Sequence, residues 1–112
     1  MIKQREIHLM RFPFSDGENC KLRPAVVASN TNYNESQLDI LACPITSKMK
    51  ETQYSVLLDN DNLEEGKLKK PCRIRCDKLG SVEKELLVHR IGTLDKETFE
   101  ELKTEVFALL AE

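Results

Sequence analysis

Arg73, Arg75 and Asp77 alternate with Cys72, Ile74 and Cys76. In an extended strand successive side chains point to opposite faces, so the charged groups share one face and the apolar ones the other. A carboxylate beside two guanidiniums suits transfer at phosphorus driven by RNA's own 2′-hydroxyl. That reaction needs a group to take the hydroxyl proton, positive charge for the phosphorane-like transition state, and a proton for the departing 5′-oxygen. On a plain surface strand the same spacing gives an ion pair that contributes little to stability. Two further segments join turn chemistry to cations: Lys21-Leu22-Arg23-Pro24 and Ile45-Thr46-Ser47-Lys48. Arginine's planar fork matches paired phosphate oxygens and keeps its charge at physiological pH. A Thr-Ser pair at a strand end can donate hydroxyl hydrogen bonds to the same phosphate. His8 and His89 are acid–base candidates by chemistry, but they lie in the first and last strand-like segments, away from the polar turns, and read as peripheral. The sequence has no Gly-rich phosphate loop, no Ser-His-Asp order and no paired metal-binding carboxylates.

The elements that must carry these groups are mostly short strands. Residues 6–14 are β-compatible and run into the polar turn Ser15-Asp16-Gly17-Glu18-Asn19. Residues 22–29 resume with Ala25-Val26-Val27-Ala28, and Pro24 places the start of a strand there rather than its centre. Residues 30–36 read as a loop with room for one helical turn, and 37–45 as a further strand closing in Pro44-Ile45-Thr46-Ser47-Lys48. Strands are also expected at 53–58, 72–79 and 85–91, with an exposed polar loop over 59–70. The chain then changes character. Asp95 is a good N-cap, and Phe99, Leu102, Val106, Leu109 and Leu110 follow at helical spacing, with Glu97, Glu100 and Glu101 in the early turns that favour acids. This amphipathic helix is expected to pack on the barrel or on a partner subunit. Many short strands and one C-terminal helix make a mainly β fold, a small open or closed barrel, over a single domain spanning residues 1–112.

Bulk composition is that of an ordinary globular chain: 40% hydrophobic and 32% charged residues, which call for neither disorder nor a bilayer. No apolar run approaches the ~20 residues that span a membrane, and the N-terminal residues lack the apolar stretch of a signal peptide. A cytoplasmic location is expected, and with it reduced thiols at Cys20, Cys43, Cys72 and Cys76. Their spacing fits no usual zinc pattern, so neither metal nor cofactor is assigned. The net charge of −2 is unevenly spread. Residues 91–112 hold two basic and six acidic side chains, net −4, which leaves residues 1–90 at net +2. That distribution permits a nucleic-acid-binding face.

The order of the motifs resembles a known family. Ile7-His8-Leu9-Met10-Arg11-Phe12-Pro13-Phe14-Ser15-Asp16-Gly17, then Lys21 to Ser29, then Cys43 to Lys48 look like the PemK/MazF toxins. Arg73-Ile74-Arg75-Cys76-Asp77-Lys78 resembles the corresponding strand of the Kid/PemK branch, and Arg90-Ile91-Gly92-Thr93-Leu94-Asp95 leads into a helix in a similar way. The resemblance implies an SH3-like β-barrel acting as a homodimer, and a toxin of a type II toxin-antitoxin system. It further implies a metal-independent endoribonuclease that cuts single-stranded mRNA to a 2′,3′-cyclic phosphate, with a cognate antitoxin protein that blocks the RNA groove. Carried over residue by residue, Arg23 becomes the phosphate clamp and Thr46 a phosphate hydrogen-bond donor. Asp77 becomes the general base, and Arg75 the proton donor or charge stabiliser. Glu18, Asn19, Lys21, Pro24, Ser47, Lys48 and Arg73 are the accompanying candidates for RNA contact. One departure stands out: Gly17 occupies the position, six residues before Arg23, where the Kid branch has a histidine. It leaves open whether Asp77 acts alone or with Glu18. Two other functions remain: a protein-binding gyrase inhibitor of the CcdB kind, which shares the barrel, and a non-catalytic RNA-binding barrel.

Overall fold

Alternation of buried and outward residues shapes the sheet from its first ladder. β1 (Glu6–Pro13) and β2 (Cys20–Val27) pair antiparallel from Ile7 opposite Val26 to Pro13 opposite Cys20. The computed structural model describes residues 1–13, 20–50 and 52–112, with residues 12, 13, 20 and 21 described by backbone alone. β3 (Asp39–Thr46), β4 (Ser55–Leu58), β5 (Leu63–Gly66), β6 (Cys72–Arg75), β7 (Gly80–Glu83) and β8 (Leu87–Leu94) complete the sheet. The strand order is β4-β6-β3-β2-β1-β8-β5, with β7 joined to β3 off this path. The sheet curls into the half-barrel expected of a mainly β chain with a C-terminal helix.

The two faces of the curl carry separate apolar layers. Ile7, Val26, Cys43, Ile45, Leu58, Ile74 and Leu94 pack on one side with Phe99 and Leu102 of the C-terminal helix. Met10, Ala25, Val27, Ile40, Ala42 and Val82 pack on the other, covered by Ile2, Leu86 and Leu87. Each fully buried aliphatic side chain contributes roughly 1.5–3 kcal/mol relative to exposure. Cys43, Cys72 and Cys76 are free, buried thiols, in line with the reduced thiols expected, while the Cys20 side chain lies outside the described residues. The short helix α1 (Thr31–Ser36) fills the place read as a loop with a helical turn. Its Asn34 is buried, accepts from the Ser29 hydroxyl and donates to the Ile2 and Ser29 carbonyls at 3.1 and 3.0 Å.

Four sequence expectations change. Pro24 lies mid-strand in β2, tolerated because β2 pairs with β3 only from Ala25 onward. The stretch 59–70 is not all loop: a 3-10 turn at Asn60–Asn62, capped by Asp59, leads into β5, which pairs with β8. The last strand is Leu87–Leu94, later and longer than expected, because a 3-10 turn occupies Lys84–Leu86. The single strand expected over 72–79 is two, split by a 3-10 turn at Cys76–Lys78. The reason lies in β3, whose one edge takes β7 along residues 39–42 and β6 along residues 45 and 46. The Cys76 amide still follows the β4–β6 register as the chain enters the turn, donating to the Tyr54 carbonyl at 3.0 Å.

The helix α2 (Lys96–Leu110) starts where its cap demanded: Asp95 accepts from the Thr98 amide at 2.8 Å. Its first half packs on its own barrel through Phe99 and Leu102, lying against β4 and the turn that bears Asp77. The apolar stripe does not stay covered, since Phe107, Leu109 and Leu110 at its end are exposed.

Candidate active site

The candidate side chains gather on one face at one end of the sheet. Thr46 of β3 faces Arg73 of β6, and Arg73 in turn faces Leu57 of β4, making a row across three strands. Extending the Ala25–Pro44 register by two residues brings Arg23 to the level of Thr46. Arg75 follows two residues after Arg73, on the same face, opposite Ser55. Arg23, Thr46, Arg73 and Arg75 are all partly buried, whereas Ser47 and Lys48 are exposed at the strand end. The Thr46 hydroxyl oxygen accepts from the Lys48 amide at 3.2 Å, which orients the hydroxyl at the rim. Three guanidiniums, Arg23, Arg73 and Arg75, thus share one face, a local positive excess hidden in the net charge of the chain.

Asp77 and Arg75 are locked together. Arg75 donates from Nε to Asp77 Oδ1 at 2.8 Å and from Nη2 to Oδ2 at 2.6 Å, a bidentate pair. Asp77 reaches back across the 3-10 turn, so the alternation that placed it with Arg75 gives the right face for a different backbone reason. The guanidinium's hydrogen bonds hold the Asp77 carboxyl below its ordinary range, against a smaller opposing effect of burial. The same pairing pushes Arg75 upward, making it harder to deprotonate. Both side chains remain about a quarter accessible, 29% for Arg75 and 26% for Asp77, so an incoming anion can compete for the guanidinium.

The remaining candidates fall into three groups. Strand alternation turns Pro24 to the face opposite Arg23, which separates its ring from the row. Glu18 and Asn19 lie outside the described residues, as does Gly17, and Lys21 is described by backbone alone. His8 sits elsewhere, with Nε2 3.0 Å from Glu6 Oε1, and His89 is exposed on β8. Among the described residues no group of three or more His, Cys, Asp or Glu side chains is placed to hold a metal ion. The sequence reading passed over Ser55, whose hydroxyl is 3.1 Å from Arg73 Nη1. Its only local signal is a Thr-x-x-Ser ahead of a strand.

The profile of the PemK-like, MazF-like toxins of type II toxin-antitoxin systems matches residues 3–110. The chain belongs to this family. Among solved PemK/MazF structures, MazF from Deinococcus radiodurans superimposes with a TM-score of 0.80 at 21% identity, covering 97% of this chain and 96% of that one. The Mycobacterium tuberculosis toxin MazF-mt6 gives 0.78 at 21% identity, over 95% and 96% of the two chains. A mycobacterial endoribonuclease in complex with its cognate antitoxin gives 0.75 at 13% identity, over 98% and 95%. At these identities the likeness establishes the PemK/MazF fold and assigns no residue's role. No curated protein sequence matches the chain. The family match lends no support to the gyrase-inhibitor alternative.

Proposed function

We propose that this PemK/MazF-family toxin is an endoribonuclease that cuts single-stranded RNA. The observation that carries the reading is the set of guanidiniums on one face, Arg23, Arg73 and Arg75, with the Asp77 carboxylate paired to Arg75. A phosphodiester that engages Arg75 displaces one arm of its pair and leaves Asp77 an oxygen with which to take the 2′-hydroxyl proton. The 2′-oxygen then bonds to phosphorus, the bond to the 5′-oxygen breaks, and a 2′,3′-cyclic phosphate and a 5′-hydroxyl result. A guanidinium this basic is a poor proton donor, so Arg75 is assigned to the transition-state charge and the leaving 5′-oxygen takes its proton from solvent. Arg23 clamps the phosphate, and Thr46 donates a hydrogen bond to it. Positioning and fixed charge supply the catalysis in this scheme, and no step draws on a metal ion.

Purified protein incubated with single-stranded RNA in EDTA tests the scheme. Cleavage is expected to survive chelation and to leave cyclic-phosphate ends. Arg23→Ala is expected to lower the rate by roughly 10²-fold or more. RNA left intact by the wild type, or cut equally by Arg23→Ala, contradicts the reading.

The proposed partners are single-stranded mRNA, a cognate antitoxin protein and a second copy of the chain, in the cytoplasm. Among the described residues no helix is long and apolar enough to cross a membrane. The exposed Phe107, Leu109 and Leu110 offer apolar surface that a second copy would cover. Sedimentation at micromolar concentration is expected to give a dimer, and a monomer there would argue against a groove shared between subunits.

A further inference from the structure

Ser55 opens β4, and its backbone is paired with Arg75. Its hydroxyl donates to the Thr52 carbonyl at 2.7 Å, which uses its single proton. The oxygen's lone pairs are left for Arg73, whose Nη1 donates to it at 3.1 Å. That is the hydrogen bond the structure gives the Arg73 guanidinium, whose Nε is shielded from water and has no partner among the described residues. The turn that presents Ser55 is itself built against the site. Tyr54 takes the left-handed backbone that non-glycine residues seldom adopt, with φ of +58°, and its carbonyl accepts the Cys76 amide between Arg75 and Asp77. The stretch 52–55 therefore grips both ends of the charged segment, one by a side chain and one by the backbone.

We infer that Ser55 is a positioning residue, its hydroxyl fixing the Arg73 guanidinium on the site face beside Thr46 so that it meets the RNA phosphate already ordered. An unrestrained arginine loses rotamer freedom when it binds, and one held beforehand loses less. The effect thus falls on RNA affinity and KM, with kcat left nearly unchanged. The inference rests on the ribonuclease reading, since it assigns Ser55 a part in the same site.

The test is binding of a mixed-sequence single-stranded 2′-O-methyl RNA, which lacks the attacking hydroxyl, followed by fluorescence anisotropy. Ser55→Ala is expected to weaken binding about fivefold, and Arg73→Ala about tenfold. The double variant should bind no worse than Arg73→Ala, and Ser55→Thr, which keeps the hydroxyl, should stay close to wild type. With unmodified RNA, Ser55→Ala should raise KM by a similar factor and leave kcat within about twofold. Should Ser55→Ala fail to fold, Ser55→Cys keeps the size, lacks a strong acceptor, and carries the same expectation. Wild-type affinity in Ser55→Ala, or losses in the two single variants that multiply in the double, would overturn the inference. Coupled binding effects without cleavage of unmodified RNA would leave the positioning role standing and sink the ribonuclease reading. A wild type that does not bind RNA at all would sink both.

Discussion

Replacing Asp77 by asparagine is expected to slow RNA cleavage by roughly 10²- to 10⁴-fold, the range over which a positioned general base acts. Asparagine keeps the size and one acceptor for Arg75 but has neither the charge nor the basicity to take a proton. The fold should survive, because the Arg75–Asp77 pair is part-exposed and such pairs contribute little to stability. Single-turnover cleavage read beside a thermal melt separates the two effects. An Asp77→Asn chain that melts normally and cuts at the wild-type rate removes the carboxylate from the mechanism. The pH profile supplies an independent check. Arg75 holds the Asp77 carboxyl below its ordinary range, so the base stays ionised further into acid. The acid limb of kcat/KM is therefore expected below the value of about 3.9 usual for a free aspartate. The stability this pair contributes has the same sign: it is complete above the unfolded pKa and is lost as pH falls through the depressed folded value. An acid limb at the ordinary carboxylate range or higher would mean that the pair is already open in the free enzyme.

A methyl group added at Gly66 is expected to cost about 2–4 kcal/mol, from left-handed strain and a backbone collision together. Gly66 has φ of +92°, and its added Cβ would lie 2.4 Å from the Ile91 carbonyl oxygen and 2.6 Å from the Gly92 α-carbon. Gly66 and Gly92 are partners in the β5–β8 ladder, and a Cβ on Gly92 would come within 2.4 Å of the Glu65 carbonyl oxygen. Neither collision can be relieved by a side chain turning aside. The midpoint of Gly66→Ala should fall by on the order of 10 °C or more in a thermal melt. Gly80→Ala is the control: its Cβ would sit 3.7 Å from the nearest backbone atom, ordinary contact, and its midpoint should move little. Equal midpoints for the two variants would show that β5 detaches without consequence.

The charged segment shows how much of the site was legible. Alternation at residues 72–77 put Arg73 and Arg75 outward and Cys72, Ile74 and Cys76 inward, and the burial of those residues follows it. Asp77 joins Arg75 through a 3-10 turn instead of a strand, because β3 needs β6 and β7 on the same edge. β5 was hidden in a polar loop because only one of its residues, Leu63, packs inward, so hydrophobic pattern had nothing to register. Pro24 misled in the other direction. Proline excludes a strand centre only where both edges are paired, and at that level β2 is paired with β1 alone.

By itself the sequence determined the strand-rich class, the helix from its Asp95 cap, the outward arginines and the membership that the order of motifs announced. These are local properties, set by side-chain alternation, capping and spacing within a few residues. The tertiary structure decided the rest: that Thr46 and Arg73 share a row, that Arg75 and Asp77 are bound to each other before any substrate arrives, and that Ser55 holds Arg73. Each depends on the register between strands distant in sequence. That register is chosen by how the two apolar layers close on each other, which no single segment encodes.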